Sequence, residues 1–549
     1  MSKENKKDLR FGIMLNDFFL ASWQEDCLRQ VLSLKGIKLV VVIKNSSAPT
    51  GKNSFHSFNR FLYRVFLKFF FKFNTHKKIN CEKLFQDVHL LHCSITRKGK
   101  YSEHFNEQDI NSIEEFGCDF ILRFGFNILR GKILETARYG VWSYHHSDEQ
   151  KIKGGPPGFW EIFNNHPTSS VVLQKLTDKL DNGVILKKGV FKTINHSYCE
   201  TVETLFARST SFVKQVCIDL QNNNTLHFDN PPVESSAKIY SYPDTIQTIL
   251  FLVKLILNKF LFHFNKLVFT EQWAVGIVKS PIQEFAFNKN HNEEIRWLKN
   301  IVRDGFAADP FGYTVGEKEY LLFENYSFKK GKGKISSVEI SGDPSKVNDI
   351  MDFPTHLSYP FLIKHQGELF CIPENFENRE INLFQHDTTM NSWLKKKNLL
   401  SGIPAIDSSL VFWNDLWWLF FTDKNQLSNV RLFIYYSENF TGPFVPHENN
   451  PVKTDIRSSR SAGNFFTVDN NLFRPSQDCS ETYGGGIIIN KIKKLSVSEF
   501  EEEEVNRIIP FMNSGYKKGI HTLSALGDKT LIDSKRIVFA NSLLRKLFN

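Results

Sequence analysis

The chain has 549 residues, of which 41% are hydrophobic and 23% charged, and its formal net charge is +10. At roughly 150 residues per domain, this length predicts about two to four domains that each bury a core. The mild basic excess fits anionic small molecules or an anionic membrane surface, and it does not require nucleic acid.

The cysteine pattern argues against a metal site. The eight cysteines are scattered and include no CxxC pair, so neither a zinc ribbon nor a thioredoxin-type site is predicted. Nothing in the pattern demands disulfides. The N-terminal stretch MSKENKKDLRFGIML has no apolar region followed by a small-residue cleavage site, so we expect no signal peptide. These features predict a cytoplasmic protein that holds no metal.

Residues 10–43 have the pattern of a strand, a helix and a second strand. RFGIML and IKLVVVI are apolar runs, and WQEDCLRQVLSL between them has helical spacing. This order is typical of a parallel βαβ unit. Residues 118–126 and 139–146 are predicted to be later strands of the same sheet. The first domain is therefore predicted to be an open, mostly parallel α/β sheet with ligand sites at the carboxyl ends of its strands.

Two further segments combine apolar side chains with regularly spaced polar ones. In residues 60–73 four cations share one helix face: Arg60, Arg64, Lys68 and Lys72. In residues 248–269 a narrow polar stripe contains Lys254, Asn258, Lys259, His263 and Lys266. Two lysines near the middle of this segment argue against a membrane span. Two alternatives stay open: the helices pack against the domains, or they contact the inner face of an anionic membrane peripherally.

From Trp273 onward, short aromatic and β-branched runs alternate with turn residues. Related units begin near Asp309, Tyr359, Asp407, Arg460 and His521. Their spacing of about 50 residues is that of propeller blades. We therefore predict an all-β five-bladed propeller, closed by a strand at 273–278. The predicted division is a first domain over 1–235, a helical linker over 236–270 and the propeller over 271–549.

The most informative motif lies in GVWSYHHSDEQKIKGGPPGFWEI (140–162) and SSVVLQKLTDKLDNGVIL (169–186). The residues that carry it are Gly140, Val141, His145, Ser147, Lys153, Gly154, Pro157, Leu180, Asp181, Asn182 and Gly183. This pattern resembles the formyltransferase family, which includes methionyl-tRNA, glycinamide ribonucleotide and sugar-nucleotide N-formyltransferases. Asp181 follows His145 by 36 residues, the usual spacing of that family. The resemblance covers most of residues 10–220 and implies a Rossmann-type formyltransferase fold.

The resemblance also implies a set of roles. An amine attacks the formyl carbon of 10-formyltetrahydrofolate, and the carbonyl oxygen that becomes negative needs a preorganised donor. His145 is implied to hold this oxyanion, Asp181 to move the proton, and Ser143 to stand where the family has asparagine. The loop residues Lys153, Gly154, Gly155 and Pro157 are implied to bind the folate, with the glycines admitting ligand close to the backbone.

Three departures from the family pattern concern folate binding and the acceptor. Ser143 has a shorter reach than asparagine, and Asp148-Glu149-Gln150 replaces the usual Leu-Leu-Pro. His146 is either a substrate contact or a surface residue. Arg123, on a mostly apolar strand, must be paired or face the ligand cleft, because an unpaired buried charge is expensive.

The second half resembles the amino-terminal domain of glucosamine inositolphosphorylceramide transferases. The motifs are FAADPF (306–311), YLLFE (320–324), HLSYP (356–360), IPE (372–374), DSSL (407–410), GPFVPHENNP (442–451) and RPSQDCSETYG (474–484). That domain is similar to five-bladed propellers of glycoside hydrolases, which line a central pocket with carboxylates. The candidate pocket residues are Asp309, Glu374, Asp407, Asp478 and Arg460, with His356 and Tyr483 as polar neighbours.

A formyl-transfer domain joined to a sugar-type propeller predicts formyl or related acyl transfer to an amino sugar during glycan biosynthesis. Two other hypotheses remain: a glycoside hydrolase centred on the propeller, and a glycan-binding scaffold without turnover. Methionyl-tRNA formylation is disfavoured because no basic carboxy-terminal RNA-binding domain is evident and an acidic run, EFEEEE, occupies 499–504. We therefore expect no nucleic-acid partner.

Overall fold

The buried apolar runs near the start of the chain form the centre of a parallel β-sheet. The computed structural model describes residues 6–46, 60–70, 72–99, 102–178, 182–288, 294–299, 301–389 and 392–539. The chain divides into two compact units: unit 1 is residues 1–262 and unit 2 is residues 263–549.

Unit 1 contains a seven-stranded sheet. In spatial order its strands are Val184–Lys192, Thr168–Lys175, Val141–His145, Phe120–Arg123, Leu9–Leu15, Ile37–Asn45 and His89–Cys93. The first two run antiparallel to their neighbours and the other five are mutually parallel. Phe11, Ile13 and Val42 are fully buried on these strands, because strands covered on both faces need apolar side chains on both. The predicted βαβ unit and the open α/β sheet are confirmed.

Helices cover this sheet, and short strands connect them. The helices are Ser22–Leu32, Phe61–Phe70, Glu107–Glu114, Phe159–Phe163, Tyr198–Arg208, Phe212–Gln221 and Thr245–Val268. The short strands are Phe19–Ala21, Lys78–Asn80, Ile95–Lys98, Ser102–Phe105, Ile128–Arg130, Ile152–Gly154 and Lys238–Tyr240. The helix Phe61–Phe70 buries Tyr63 and Phe66, and Tyr63 meets the ring of Phe159 edge-on at 5.7 Å. This helix therefore packs against unit 1.

The described residues of unit 2 form five antiparallel sheets. They contain, in turn, Ile295–Trp297 with Phe269–Val278, Lys529–Phe539 and Leu523–Leu526; Gly305–Val315, Lys318–Ser327, Lys332–Glu339 and Asn348–Met351; Ser358–His365, Glu368–Glu374, Glu380–Asp387 and Ser392–Ser401; Ala405–Trp413, Leu416–Asp423, Arg431–Ser437, Val445–Pro446 and Lys453–Thr454; and Phe466–Val468, Asn471–Asp478, Gly486–Leu495 and Phe500–Ile508. A short helix, Ile282–Phe287, lies in the chain between the strands Phe269–Val278 and Ile295–Trp297. The all-β second half is confirmed.

The first of these sheets joins the two ends of unit 2. Phe269–Val278 pairs with Lys529–Phe539 over ten residue pairs, from Phe269 opposite Phe539 to Val278 opposite Thr530. This is the pairing predicted for residues 273–278. The first long strand of unit 2 is therefore paired with the last one, and one sheet contains both. This pairing covers an edge of each strand that would otherwise be open.

Candidate functional site

The candidate active site of unit 1 is a cleft at the carboxyl end of the strand Val141–His145. This strand lies between Phe120–Arg123, which is parallel to it, and Thr168–Lys175, which is antiparallel. Its last side chains therefore emerge at the edge where open α/β sheets bind ligands. The cavity volume of the cleft is about 100 Å³, and its walls include Arg123, Leu129, His145, Gln174, Thr177 and Asn182.

Ser143 is buried and positions the guanidinium of Arg123. Its hydroxyl oxygen accepts hydrogen bonds from Arg123 Nε at 3.1 Å and Nη2 at 2.8 Å. Arg123 Nη1 donates to the carbonyl oxygen of Asn127 at 2.6 Å. Arg123 is thus paired and also a wall of the cleft, so both alternatives for this charge hold. The hydroxyl oxygen of Ser143 thus accepts two hydrogen bonds from Arg123 and holds that guanidinium in place.

His145 is half-buried, and one of its ring nitrogens is already engaged. Nε2 lies 3.3 Å from the carbonyl oxygen of Ile152. A carbonyl oxygen only accepts, so a hydrogen bond there requires Nε2 to carry the hydrogen. Nδ1 is then the atom that remains for a ligand or a proton. A neutral ring in this tautomer accepts a proton through Nδ1, and only the imidazolium donates from it.

Asp181 lies outside the described residues, but the chain on both sides of it borders the same cleft as His145. Thr177 and Asn182 are both part of the cleft wall, and Thr177 Oγ1 donates to the carbonyl oxygen of Asn182 at 2.6 Å. Asp178 Oδ1 accepts from the backbone N–H of Gly131 at 3.1 Å. The described residues Thr177 and Asn182, on either side of Asp181, therefore border the cleft.

In the Lys153–Pro157 loop, Gly154 lies against the protein's own backbone, which gives a structural reason for this glycine. Gly154 has φ +83°, and a Cβ there would lie 2.2 Å from the carbonyl oxygen of Tyr240. The strand Lys238–Tyr240 pairs in parallel with Ile152–Gly154. Lys153 Nζ donates to the carbonyl oxygen of Ser235 at 2.7 Å. Lys153 and Gly154 thus contact residues 235–240. A Cβ on Gly155, in contrast, would meet only Pro157, at 3.6 Å or more.

The residues that replace Leu-Leu-Pro form an internal ion-pair cluster. Lys188 Nζ lies 2.8 Å from Glu149 Oε1 and 3.3 Å from Asp148 Oδ1, and both carboxylates are buried. Burial raises the pKa of Asp148, but Lys188, the backbone N–H of Gln150 and Lys151 together outweigh it, and the pKa lies below its usual value. The charges of this segment are therefore compensated within unit 1.

Two further titratable groups lie beside this segment. His146 is half-buried and stacks on Phe206 at 3.7 Å between ring centres, and burial lowers its pKa well below the usual value. Glu161 is 1% exposed, and burial raises its pKa to about 7. No described group lies within hydrogen-bond geometry of either Glu161 carboxylate oxygen. Both alternatives for His146, a substrate contact and a surface residue, therefore stay predictions.

In unit 2 the predicted carboxylates are joined from sheet to sheet by a repeated hydrogen bond. The acceptor is a carboxylate of one sheet, and the donor is a backbone N–H in the first strand of the next. Asp309 N donates to Asp533 Oδ2 at 2.9 Å, and Tyr359 N donates to Asp309 Oδ2 at 3.1 Å. In the same way, Asp407 N donates to Glu374 Oε2 at 2.9 Å. The donors have φ values of 51°, 42° and 48° and lie at register shifts of their strands. We call these three contacts the inter-sheet carboxylate bonds.

Asp309 also belongs to a buried triad with His521 and Asp533. His521 Nε2 lies 3.2 Å from Asp309 Oδ1, and Nδ1 lies 2.8 Å from Asp533 Oδ1. Burial alone lowers the pKa of His521, but the two carboxylates outweigh it and raise the pKa to about 10. The three ligand atoms lie within 4.8 Å of one another and could hold a metal ion. The imidazolium itself supplies the cation that two buried carboxylates need.

Arg460 supplies the second cation of this region. Its Nε lies 2.5 Å from Asp407 Oδ2, Gln477 Nε2 donates to the same oxygen at 2.8 Å, and the guanidinium lies over the ring of Tyr483 at 4.8 Å. Burial, with the charge of Asp407, raises the pKa of Glu374 well above its usual value. The structure thus brings Glu374, Asp407 and Arg460 together.

Asp478 is paired with Arg507 and not with the residues above, whereas Glu324, which the sequence did not indicate, lies close enough to Asp309 to feel its charge. Asp478 Oδ2 accepts from Arg507 Nη1 at 2.6 Å. Glu324 is buried, and burial together with Asp309 raises its pKa well above the usual value. His356 Nε2 lies 3.6 Å from Glu324 Oε1, and His356 Nδ1 accepts from Gly333 N at 2.9 Å. Nε2 therefore carries the hydrogen and points it at Glu324.

Sequence reasoning missed Glu324, His521 and Asp533 as members of these clusters. The repeat spacing did single out His521 as the start of a unit. Glu324 ends the YLLFE motif, at the same point of its strand as Glu374 in IPE. That correspondence was the signal available for Glu324; Asp533 lies in a late apolar strand without a motif around it.

Comparison with known protein families identifies relatives of unit 2. Residues 297–521 match the family described as Glucosamine inositolphosphorylceramide transferase 1, N-terminal. Glucosamine inositolphosphorylceramide transferase 1 from Oryza sativa subsp. japonica is 31% identical over 310 residues, which is 50% of this chain and 42% of the relative. The Arabidopsis thaliana protein of the same name is 34% identical over 222 residues, 39% of this chain and 28% of that protein. The chain therefore spans less than half the length of these curated relatives.

Similarity in unit 1 is more distant. Methionyl-tRNA formyltransferase from Prochlorococcus marinus (strain MIT 9215) is 26% identical over 116 residues, 21% of this chain and 35% of that protein. A glycinamide ribonucleotide transformylase 1 from Symbiobacterium toebii covers 39% of this chain and 89% of its own, with 11% identity and a TM-score of 0.27.

A second solved structure with distant similarity is an exo-beta-1,3-galactanase from Clostridium thermocellum. The match covers 41% of this chain and 58% of the galactanase chain, with 11% identity and a TM-score of 0.32. TM-scores this low support no conclusion about either unit.

Proposed function

We propose that unit 1 transfers a formyl group, or a related one-carbon or acyl group, from 10-formyltetrahydrofolate to an amino sugar in glycan biosynthesis. The observation that carries the proposal is the cleft itself. His145 and the residues on both sides of Asp181 line one cavity at the carboxyl end of the sheet, in the order and spacing of the formyltransferase motif. We further propose that the reaction takes place in the cytoplasm.

The cleft offers chemistry that suits this reaction. 10-Formyltetrahydrofolate supplies the formyl carbon, which forms a bond to the sugar nitrogen as its bond to the folate nitrogen breaks. The attacking amine must lose a proton and the departing nitrogen must gain one. Asp181 is the group proposed to take and return that proton. Arg123, held by Ser143, and His145 are proposed to donate to the oxygen that becomes negative.

The division of labour between Arg123 and His145 follows from their hydrogen bonds. Because His145 Nε2 faces the carbonyl oxygen of Ile152, His145 donates to an oxyanion through Nδ1 only when it is protonated. Arg123 carries its charge at any physiological pH and forms the same wall. Arg123 therefore takes over the fixed-donor role for which the family uses asparagine, and Ser143 keeps it in place.

The residues present fit a folate ring in the cleft better than in the loop. Leu129 and Leu176 offer apolar surface, and Gln174 and Asn182 offer amide groups for ring nitrogens and carbonyls. Lys153 and Gly154 are occupied by residues 235–240. We therefore assign folate recognition to the cleft wall, and a structural role to most of the Lys153–Pro157 loop.

Titration of the full chain with 5-formyltetrahydrofolate, a stable folate analogue, tests this assignment by calorimetry. We expect binding that Gln174→Ala weakens, since an amide pairs with the ring's polar edge. The matched control is Gln86→Ala, an exposed glutamine of unit 1, which leaves binding unchanged. No binding at millimolar ligand would show that the Asp148–Gln150 departure has removed folate recognition.

For unit 2 we propose that the five sheets are the blades of a five-bladed propeller, whose carboxylate clusters face a glycan. The relatives' names include glucosamine, an amino sugar, and inositolphosphorylceramide, which supports an amino-sugar or glycolipid acceptor. The inter-sheet carboxylate bonds favour binding over hydrolysis, because the carboxylates of Asp309 and Glu374 already accept backbone hydrogen bonds between sheets. Asp478, paired with Arg507, is the least suited of the predicted pocket residues.

A hydrolase remains the second candidate because Glu324 and Glu374 are buried carboxyls with raised pKa values, the property of a general acid. The test is release of reducing sugar from glycan substrates by the full chain. Release that survives His145→Ala but not Glu324→Gln would establish the hydrolase. Tight glycan binding without turnover in either assay would make the chain a glycan-binding scaffold.

A further inference from the structure

The helix Thr245–Val268 turns an apolar face away from the protein. It has 24 residues, and ten large apolar side chains spaced three or four residues apart are between 44% and 70% exposed. They are Ile246, Ile249, Leu250, Val253, Ile256, Leu257, Phe260, Leu261, Phe264 and Leu267. At 100° per residue these positions form one stripe. The stripe is about 32 Å long at 1.5 Å per residue, far more than a soluble surface exposes without use.

The opposite face fastens the helix along the surface of unit 1. Phe251 is buried and stacks on Phe159 at 4.1 Å. Lys254 Nζ donates to the carbonyl oxygen of Phe163 at 2.7 Å, and Asn258 Nδ2 to that of Asn195 at 2.9 Å. Phe262 stacks on His196 at 3.8 Å. By length and composition the helix could cross a membrane, with a mean hydropathy of 1.6. These contacts instead hold it flat over three turns.

Cations border the apolar stripe, and the helix has no acidic residue. TIQTILFLVKLILNKFLFHFNKLV contains no Asp or Glu, and Lys259, His263 and Lys266 are exposed along one edge of the stripe. The helix Phe61–Phe70 is joined to this one through the rings of Phe66 and Phe251 at 6.1 Å. It adds exposed Arg64 and Lys68. An apolar stripe bordered by lysines, whose stems lie along apolar surface while their charges stay in water, matches an anionic lipid surface.

We propose that this face inserts into the headgroup region of an anionic lipid bilayer, with the helix axis parallel to the membrane. The inference is independent of the formyl-transfer proposal. The sequence left two alternatives for these segments, packing against the domains or contact with a membrane. Both helices pack on unit 1, and under this proposal the outer face of Thr245–Val268 contacts lipid as well. A second copy of the chain is a poorer occupant, since face-to-face contact would oppose two rows of lysines.

Vesicle flotation of the full chain tests the proposal. We expect the wild type to float with phosphatidylcholine vesicles that contain phosphatidylglycerol, and to bind phosphatidylcholine alone about tenfold more weakly. Serine at Ile256, Leu257 and Phe260 together should abolish flotation. The matched control replaces three apolar side chains exposed on unit 2 with serine, and it should float like the wild type: Leu394, Phe412 and Met512. Circular dichroism verifies that both triple variants fold.

Two outcomes would overturn the proposal. One is wild-type protein that stays in solution with every vesicle. The other is a lipid-free dimer in sedimentation experiments that the Ile256, Leu257 and Phe260 triple variant dissociates, which would make the face a self-association surface. Orientation is read from the added quenching by brominated lipids in the variants Ile249→Trp and Phe264→Trp, relative to the wild type with its nine tryptophans. Equal depths are expected for a helix parallel to the surface, and depths on opposite sides of the bilayer centre would show that it spans.

Discussion

The backbone N–H of Tyr359 donates to Asp309 Oδ2 at 3.1 Å, and this bond joins the first strands of two consecutive sheets of unit 2. Asp533 and Glu374 likewise accept a hydrogen bond from a backbone N–H in the first strand of the next sheet, at Asp309 and Asp407 respectively. Each donor residue has a positive φ, a conformation that is costly for non-glycine residues and needs support from its surroundings. The carboxylates supply that support.

Removal of one such carboxylate should destabilise unit 2. Asp309→Asn keeps an oxygen acceptor but leaves the His521 imidazolium with one fewer negative partner, and breaking a buried pair costs about 3–5 kcal/mol. Urea unfolding measures the loss. Asp415→Asn, an exposed residue that also has a positive φ, is the control and should change the free energy of unfolding by less than about 0.5 kcal/mol. Equal stability of the two variants would contradict the structural role.

The stability of unit 2 should decrease in alkaline solution through His521. The pKa of His521 is raised from 6.5 to about 10 in the folded protein, so the stabilisation is fully present below pH 6.5 and is lost as the pH rises through about 10. The total is on the order of 5 kcal/mol at 1.36 kcal/mol per pKa unit. Unfolding of the wild type and of His521→Gln is compared across this range. A wild-type slope no steeper than that of the variant would show that the imidazolium is not formed.

Gly154 should be required for stability rather than for ligand binding alone. Alanine there places a Cβ 2.2 Å from the carbonyl oxygen of Tyr240 at a φ of +83°, which we expect to cost at least about 2 kcal/mol. Gly155→Ala is the matched control, since its Cβ meets only Pro157. Thermal unfolding measures both. If Gly154→Ala unfolds like the wild type, the strand Lys238–Tyr240 does not occupy that space in solution.

Glu161 should make unit 1 less stable as the pH rises from about 4.5 to about 7. Its pKa is raised from 4.5 to about 7 by burial, so stability is fully present below pH 4.5 and falls towards pH 7, where the charged form is penalised. Glu161→Gln removes this penalty of about 3 kcal/mol, and the gain should appear above pH 7. Glu114→Gln, on the exposed side of a helix, is the control. A gain that is the same at every pH would argue against titration of Glu161.

The sequence predicted the parts of this protein whose physical cause is local. The apolar runs at 10–43 predicted a βαβ unit because buried strands need uninterrupted apolar side chains, and the spacing of aromatic runs indicated repeated strand units in the second half. The long-range contacts could not be predicted. Nothing near Gly154 indicates that Tyr240 fills its space, and nothing near Asp533 indicates that His521 and Asp309 close around it, because these partners are far apart in sequence.

The candidate site shows the same limit at single residues. His145 was found from its motif, and Arg123 was left with two alternatives because the motif does not contain its partner. The hydrogen bonds from Arg123 to Ser143 connect the two observations: the serine in place of asparagine and the charge on an apolar strand are one feature. Pairing of this kind depends on strand register, which the spacing of motif residues does not specify.

Formylation of amino-sugar acceptors is the measurement that tests the central claim most directly. Wild-type protein is incubated with 10-formyltetrahydrofolate and nucleotide-linked or lipid-linked amino sugars, and products are identified by mass spectrometry. We predict an N-formyl sugar from the wild type and from the exposed control variants Asp87→Asn and His92→Asn. We predict at least about a hundredfold less product from Asp181→Asn and His145→Asn. No formylated sugar from the wild type with any acceptor, or equal product from Asp181→Asn, would contradict the account.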